Sequence, residues 1–89
     1  MANENKAVEM LRYILAALVD YPENVWVRET SDAMVASGDG IFIQVFVDKR
    51  DMGLIVGRGG THIEAIKLLA KLVAFKVGVK VSIRLEEPK

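Results

Sequence analysis

Residues 57–60 read Gly57-Arg58-Gly59-Gly60, one cation held in a run of glycine. An apolar stub, Leu54-Ile55-Val56, leads into the run, and Thr61-His62-Ile63 leads out of it into a long apolar stretch. Glycine lets the backbone take positive φ and lets another backbone come close, because no Cβ intervenes. A helix that begins just after such a turn directs unpaired N–H groups at it, and that end attracts anions. Beside those donors Arg58 is a charge-assisted ligand for phosphate. Three glycines in four positions exceed what one left-handed turn requires. The pattern therefore suits a sugar-phosphate backbone lying against the turn. The plainer alternative is a helix C-cap at Gly57 followed by a mobile turn.

Elsewhere the chemistry is sparse. Cysteine is absent and there is one histidine, which removes disulfides, thiolate catalysis and a His-based zinc site. No Ser-His-acid or paired-carboxylate arrangement stands out, and residues 53–61 do not fit the nucleotide-binding pattern G-x-x-x-x-G-K-[ST]. The expectation is a binding protein, not an enzyme, with no cofactor, metal or small-molecule substrate. No run of 18 apolar residues suggests a membrane span, and Met1-Ala2-Asn3-Glu4-Asn5 lacks the basic start of a signal peptide. Cytoplasmic residence is the resulting expectation.

The net charge of zero conceals an asymmetry. Residues 1–48 carry three basic and eight acidic side chains, whereas residues 49–85 carry eight basic and two acidic ones. The basic half contains the glycine turn, which points to a polyanionic partner. Lys49, Arg50, Lys80 and Arg84 are candidates for an outer ring of phosphate contacts, or are simply solvated surface. His62, in the first turn after the glycines, is placed to stack on a base or touch a phosphate, or is an ordinary surface histidine.

These residues need a scaffold. With 89 residues the chain fits one domain, expected over 5–85, with a disordered tail at 86–89. Ala7, Val8, Leu11, Ile14, Leu15 and Leu18 make one apolar stripe on a helix over 5–20, which Pro22 ends. Residues 24–30 read as a strand with Val25 and Val27 on one side and Trp26 and Arg28 on the other. A loop over 31–39 ends in the turn signal Ser37-Gly38-Asp39-Gly40. Ile41, Ile43, Val45 and Val47 alternate with Phe42, Gln44 and Phe46, a second strand. Asp51 is placed to cap a short helix over 52–56. Thr61 and Glu64 suggest a capping box for a helix reaching Val77, with Gly78 as its C-cap. Val79, Val81, Ile83 and Leu85 then alternate as a last strand.

The order is α-β-β-α-α-β. The first two strands form an antiparallel hairpin, and the last returns through a helical crossover as a parallel strand. The expected fold class is α+β, a three-stranded mixed sheet with helices on one face.

On this order, and on Asp51-Met52-Gly53-Leu54-Ile55-Val56-Gly57-Arg58-Gly59-Gly60 and Ala17-Leu18-Val19-Asp20-Tyr21-Pro22-Glu23, the chain resembles type II KH domains. It is most similar to the small bacterial single-KH proteins called KhpA-like, over about residues 6–85. The resemblance implies a single KH module that binds short single-stranded RNA, as a low-specificity RNA chaperone or post-transcriptional regulator. It implies a backbone clamp at Gly57, Arg58, Gly59 and Gly60. Ile55, Val56 and Ile63 would form an apolar floor for bases, with the segment from Val81 to Arg84 as the opposite wall. Thr61, which follows the clamp, stands where relatives are often basic, and Gly59 leaves Arg58 as the only charge on the turn. Both departures predict weaker, more salt-sensitive binding.

Two apolar surfaces remain. In the long helix Ile63, Ile66, Leu69, Ala70, Val73 and Val77 share one face, expected in the core. Leu68, Leu72 and Phe75 fall outside it, and are either a partner interface or covered by the first helix. The resemblance implies a homodimer, or a heterodimer with another KH-containing protein. Trp26, Phe42 and Phe46 face away from the aliphatic side of the sheet, where base stacking, cross-strand packing and protein contact all suit them.

Overall fold

A computed structural model describes residues 6–30 and 41–87. The first helix, α1 (Lys6–Leu18), forms because its apolar residues repeat along one stripe. Ala7, Val8, Leu11 and Leu15 are buried, while Ile14 is half-buried and Leu18 is exposed. The helix ends two residues before the expected boundary, and the cause is distant in sequence. The carboxylate of Asp51 accepts the backbone N–H groups of Asp20 (3.0 Å) and Tyr21 (3.1 Å), taking them from the helix. Pro22 then opens a single 3₁₀ turn, Pro22–Asn24.

Strand β1 (Trp26–Thr30) begins after that turn, because the N–H groups of Asn24 and Val25 bond back to Tyr21 and Pro22. It pairs antiparallel with β2 (Ile41–Phe46), in a register that sets Trp26 opposite Phe46 and Arg28 opposite Gln44. A 3₁₀ turn (Lys49–Asp51) leads into the short α2 (Met52–Val56), and α3 (Thr61–Lys76) follows after the glycine turn. Strand β3 (Val81–Leu85) pairs parallel with β2, so the sheet order is β1-β2-β3. The mixed three-stranded sheet and the order α-β-β-α-α-β agree with the sequence expectation. The 31–39 loop and the tail residues 88–89 lie outside the described residues. Glu86, expected in the disordered tail, is instead tied down. Its N–H bonds the Val45 carbonyl at 2.8 Å, and its carboxylate accepts from Gln44.

The helices and the inner face of the sheet share one core. Val27, Ile43, Val45 and Ile83 meet Leu11, Leu15, Ile55, Ile63, Ile66, Ala70 and Ala74. Each large aliphatic side chain taken fully from water contributes about 1.5–3 kcal/mol. The edge strand β1 is partly shielded, since Arg12 of α1 donates to the Val27 carbonyl at 3.1 Å. At its far end α3 closes with paired bonds from Gly78 to Phe75 and from Val79 to Ala74. Gly78 sits at φ 79°, so Val79 belongs to the cap and β3 starts later than its alternation suggests.

Candidate nucleic-acid interface

Backbone hydrogen bonds close the turn between α2 and α3. Gly57 N–H bonds the Gly53 carbonyl at 3.0 Å and ends α2. Gly60 N–H bonds the Gly57 carbonyl at 3.1 Å, which closes a 3₁₀ turn over Arg58–Gly60. Thr61 donates both its N–H and its hydroxyl to the Arg58 carbonyl. Thr61 is the first residue of α3, and its hydroxyl points back into the turn, so the expected capping box with Glu64 does not form. Glu64 pairs with Lys67 instead.

The three glycines have distinct reasons to be glycine. Gly57 lies at φ 75°, ψ 171°, a region other residues almost never enter. A Cβ there would stand 2.5 Å from Cγ of His62. The close neighbour at Gly57 is therefore a ring of this same chain. Gly59 and Gly60 sit at φ 65° and 81°, and a Cβ on either would meet nothing within 4 Å, so only there is the turn open. Arg58 and Gly59 are exposed, at the start of a 16-residue helix whose first N–H groups face the turn.

His62 fastens this arrangement. Its Nδ1 lies 2.7 Å from the Leu54 carbonyl. A carbonyl only accepts, so Nδ1 carries the proton and Nε2 is left over. The ring thus bridges α2 to α3 across the glycines. The residue type alone did not disclose this bond.

The other expected site residues divide. Thr61, Val56 and Lys80 are at least partly accessible, whereas Ile55 and Ile63 are buried in the core. Ile55 is wholly inaccessible, so it supports the surface from beneath and cannot be a floor that bases touch. Leu54 is also exposed on α2 beside the turn, and the sequence expectation does not include it. The signal was present: three consecutive apolar residues on a one-turn helix cannot all face inward. Arg50 is not a free phosphate ligand. Its guanidinium bonds both Asp48 oxygens at 2.9 Å and stacks 3.5 Å from the centre of the Tyr21 ring. Those bonds, with the Arg50 N–H and Asn24, hold the Asp48 carboxyl well below the usual carboxylate range. Arg84 points to the side of the sheet away from the helices, in register with Gln44, and pairs with Glu86 at 3.5 Å. It does not line a groove beside α2 and α3. Asp51 makes no side-chain cap for α2, because it is buried and spent on Asp20 and Tyr21.

The face of α3 also departs from its expected rotation. Ile63, Ile66, Ala70 and Ala74 are buried, and Leu69 and Val77 are exposed. Leu68, Leu72 and Phe75 are 59%, 55% and 80% exposed, so α1 does not cover them.

A family model described as KhpA/KhpB, KH domain, matches residues 8–85. The chain belongs to this family. Among its KhpA relatives, the RNA-binding protein KhpA of Chlamydia caviae is 38% identical over 81 residues, 91% of this chain and 97% of that protein. The protein of the same name from Chlamydia trachomatis is 39% identical over 79 residues, 89% of this chain and 95% of the relative. That of Clostridium perfringens is 32% identical over 77 residues, 86% of this chain and 96% of the relative. The fold recurs in the crystal structure of Era in complex with MgGDPNP and nucleotides 1506–1542 of 16S ribosomal RNA. There the TM-score is 0.60 at 21% identity, over 89% of this chain and 28% of that one. This KH chain also has no helix long and apolar enough to cross a membrane among its described residues.

Proposed function

We propose that this KH protein binds short single-stranded RNA, with Gly57, Arg58, Gly59 and Gly60 as the backbone clamp. The observation that carries the reading is the open, positive-φ pair Gly59-Gly60, set between an exposed Arg58 and the first turn of α3. A phosphate can approach the main chain there without meeting a side chain, and the helix end favours its charge. Family membership supports RNA as the ligand, since the relatives bear the name RNA-binding protein KhpA. The family is one of binding proteins, and no catalytic step is assigned. Thr61 and Lys80 join Arg58 as accessible polar contacts, with Leu54 and Val56 as the apolar ones. So small a contact set implies low sequence specificity, as in an RNA chaperone or a post-transcriptional regulator. We assign the exposed α3 row Leu68, Leu72 and Phe75 to self-association or to pairing with another KH protein.

That same row favours one alternative, a dimerisation module with little affinity for RNA. Titration with a short single-stranded RNA at several salt concentrations separates the two. The RNA reading expects log affinity to fall linearly with log salt, by about 0.7 per phosphate neutralised. The double substitution Arg58→Asp with Gly59→Asp should remove binding at the clamp while the far-ultraviolet spectrum stays native. The lost charge-assisted bond alone is about 1.5–3 kcal/mol, and repulsion adds to it. Full affinity in that variant would move the site elsewhere, and absence of binding at low salt would leave the dimerisation module.

A further inference from the structure

The side of the sheet away from the helices has features of its own. Trp26 and Phe46 stand opposite one another in the β1–β2 register, and Trp26 is 65% exposed. With Arg28 they line an open, mainly apolar depression of about 460 Å³. Arg28 has no side-chain partner among the described residues. Among the described residues, two carboxylates that follow β2 and β3 are engaged. Asp48 is bonded by Arg50 and Asn24, and Glu86 by Arg84 and Gln44. Among the described residues that line the depression, Arg28 is the charged one, and its charge is positive.

We propose that this depression is a second RNA contact, in which one nucleobase stacks on Trp26 and Phe46 while Arg28 takes the adjoining phosphate. Aromatic faces accept any base, and an arginine beside them adds both stacking and charge. A nucleotide is the ligand that matches an aromatic floor with a cation beside it. The contact lies across the sheet from the clamp, so a separate segment of RNA occupies it. It rests on the protein being an RNA binder, though not on the clamp being the site.

Trp26 is the only tryptophan in the chain, so its emission reports on this face alone. A short adenylate oligoribonucleotide carrying a dye is titrated into the full chain, following dye anisotropy and Trp26 emission together. The expected result is quenching of Trp26 as the anisotropy rises, and residual quenching at higher protein concentration in the Arg58→Asp, Gly59→Asp double variant. Trp26→Leu should weaken the oligomer by roughly 5- to 150-fold, the usual loss for one stacked base. Trp26→Phe should recover most of it, and Arg28→Glu should lose it again. Saturating anisotropy with unchanged Trp26 emission would overturn this contact and leave the clamp standing. No anisotropy change at low salt would overturn both. A blue shift of Trp26 with protein concentration alone would give the face to a second copy of the chain and overturn the proposal.

Discussion

Alanine at Gly57 and alanine at Gly59 are the same chemical change two residues apart, and they should differ severalfold in cost. At Gly57 the backbone lies at φ 75°, ψ 171°, where a non-glycine residue costs about 1–3 kcal/mol. The new methyl would also meet His62 at 2.5 Å from Cγ and 2.7 Å from Nδ1. The ring must swing away and give up its bond to the Leu54 carbonyl, worth about 1 kcal/mol. The sum is about 2–4 kcal/mol. At Gly59 the angles, φ 65° and ψ 18°, are ordinary left-handed ones, and nothing stands within 4 Å. The cost there is about 1 kcal/mol. Urea unfolding followed by circular dichroism reads the difference. With a slope of about 1.5 kcal/mol/M, Gly57→Ala moves the midpoint by about 2 M and Gly59→Ala by less than about 1 M. His62→Ala in the Gly57→Ala background should cost less than it does alone, because the ring has already left its place. Equal midpoints for the two glycine variants would refute the idea that His62 locks the turn.

Asp51→Ala leaves the N–H groups of Asp20 and Tyr21 without their acceptor at the joint between α1 and α2. Unfolding free energy should fall by about 2–4 kcal/mol, and a loss under about 0.5 kcal/mol would show that water replaces the carboxylate. Leu72→Glu and Phe75→Glu should leave the urea midpoint nearly unchanged, as both side chains are exposed, and should lower the mass seen by light scattering if α3 pairs with a partner. Unfolding of either variant would place the residue in the core. Asp48 has its folded pKa lowered by bonds from Arg50, so its contribution is present above the ordinary value near 3.9 and lost as the pH falls. Asp48→Asn should therefore flatten the acid limb of a stability profile. An unaltered limb would mean that the bonds from Arg50 and Asn24 do not favour the charged form.

The regular elements were legible because their signals are local. Alternation in Ile41–Phe46 and the stripe Ala7, Val8, Leu11, Leu15 each follow from one element's own period. Long-range partners were not legible. Asp51 reads as a helix cap by position, yet its oxygens serve residues thirty positions earlier. Arg50 reads as a spare cation, but Tyr21 and Asp48 engage it. The rotation of α3 failed for another reason. The helix is apolar on nearly every side, so period alone does not choose a face. Small Ala70 and Ala74 are buried while larger Leu69 and Val77 are not, as fits a helix lying close against its neighbours. At the candidate interface the glycine positions were readable, and the use of His62 as a brace was not.

The parallel pairing of β2 with β3 has a consequence for biogenesis. Ile41 pairs with Val81, and the whole glycine turn with both flanking helices hangs between them. During translation β1 and β2 can zip together early as a hairpin, but their partner strand is made only after α3. Contacts this distant in sequence form slowly. A chain that stops at residue 80 thus carries every residue of the turn but lacks the strand that completes the sheet beneath α3.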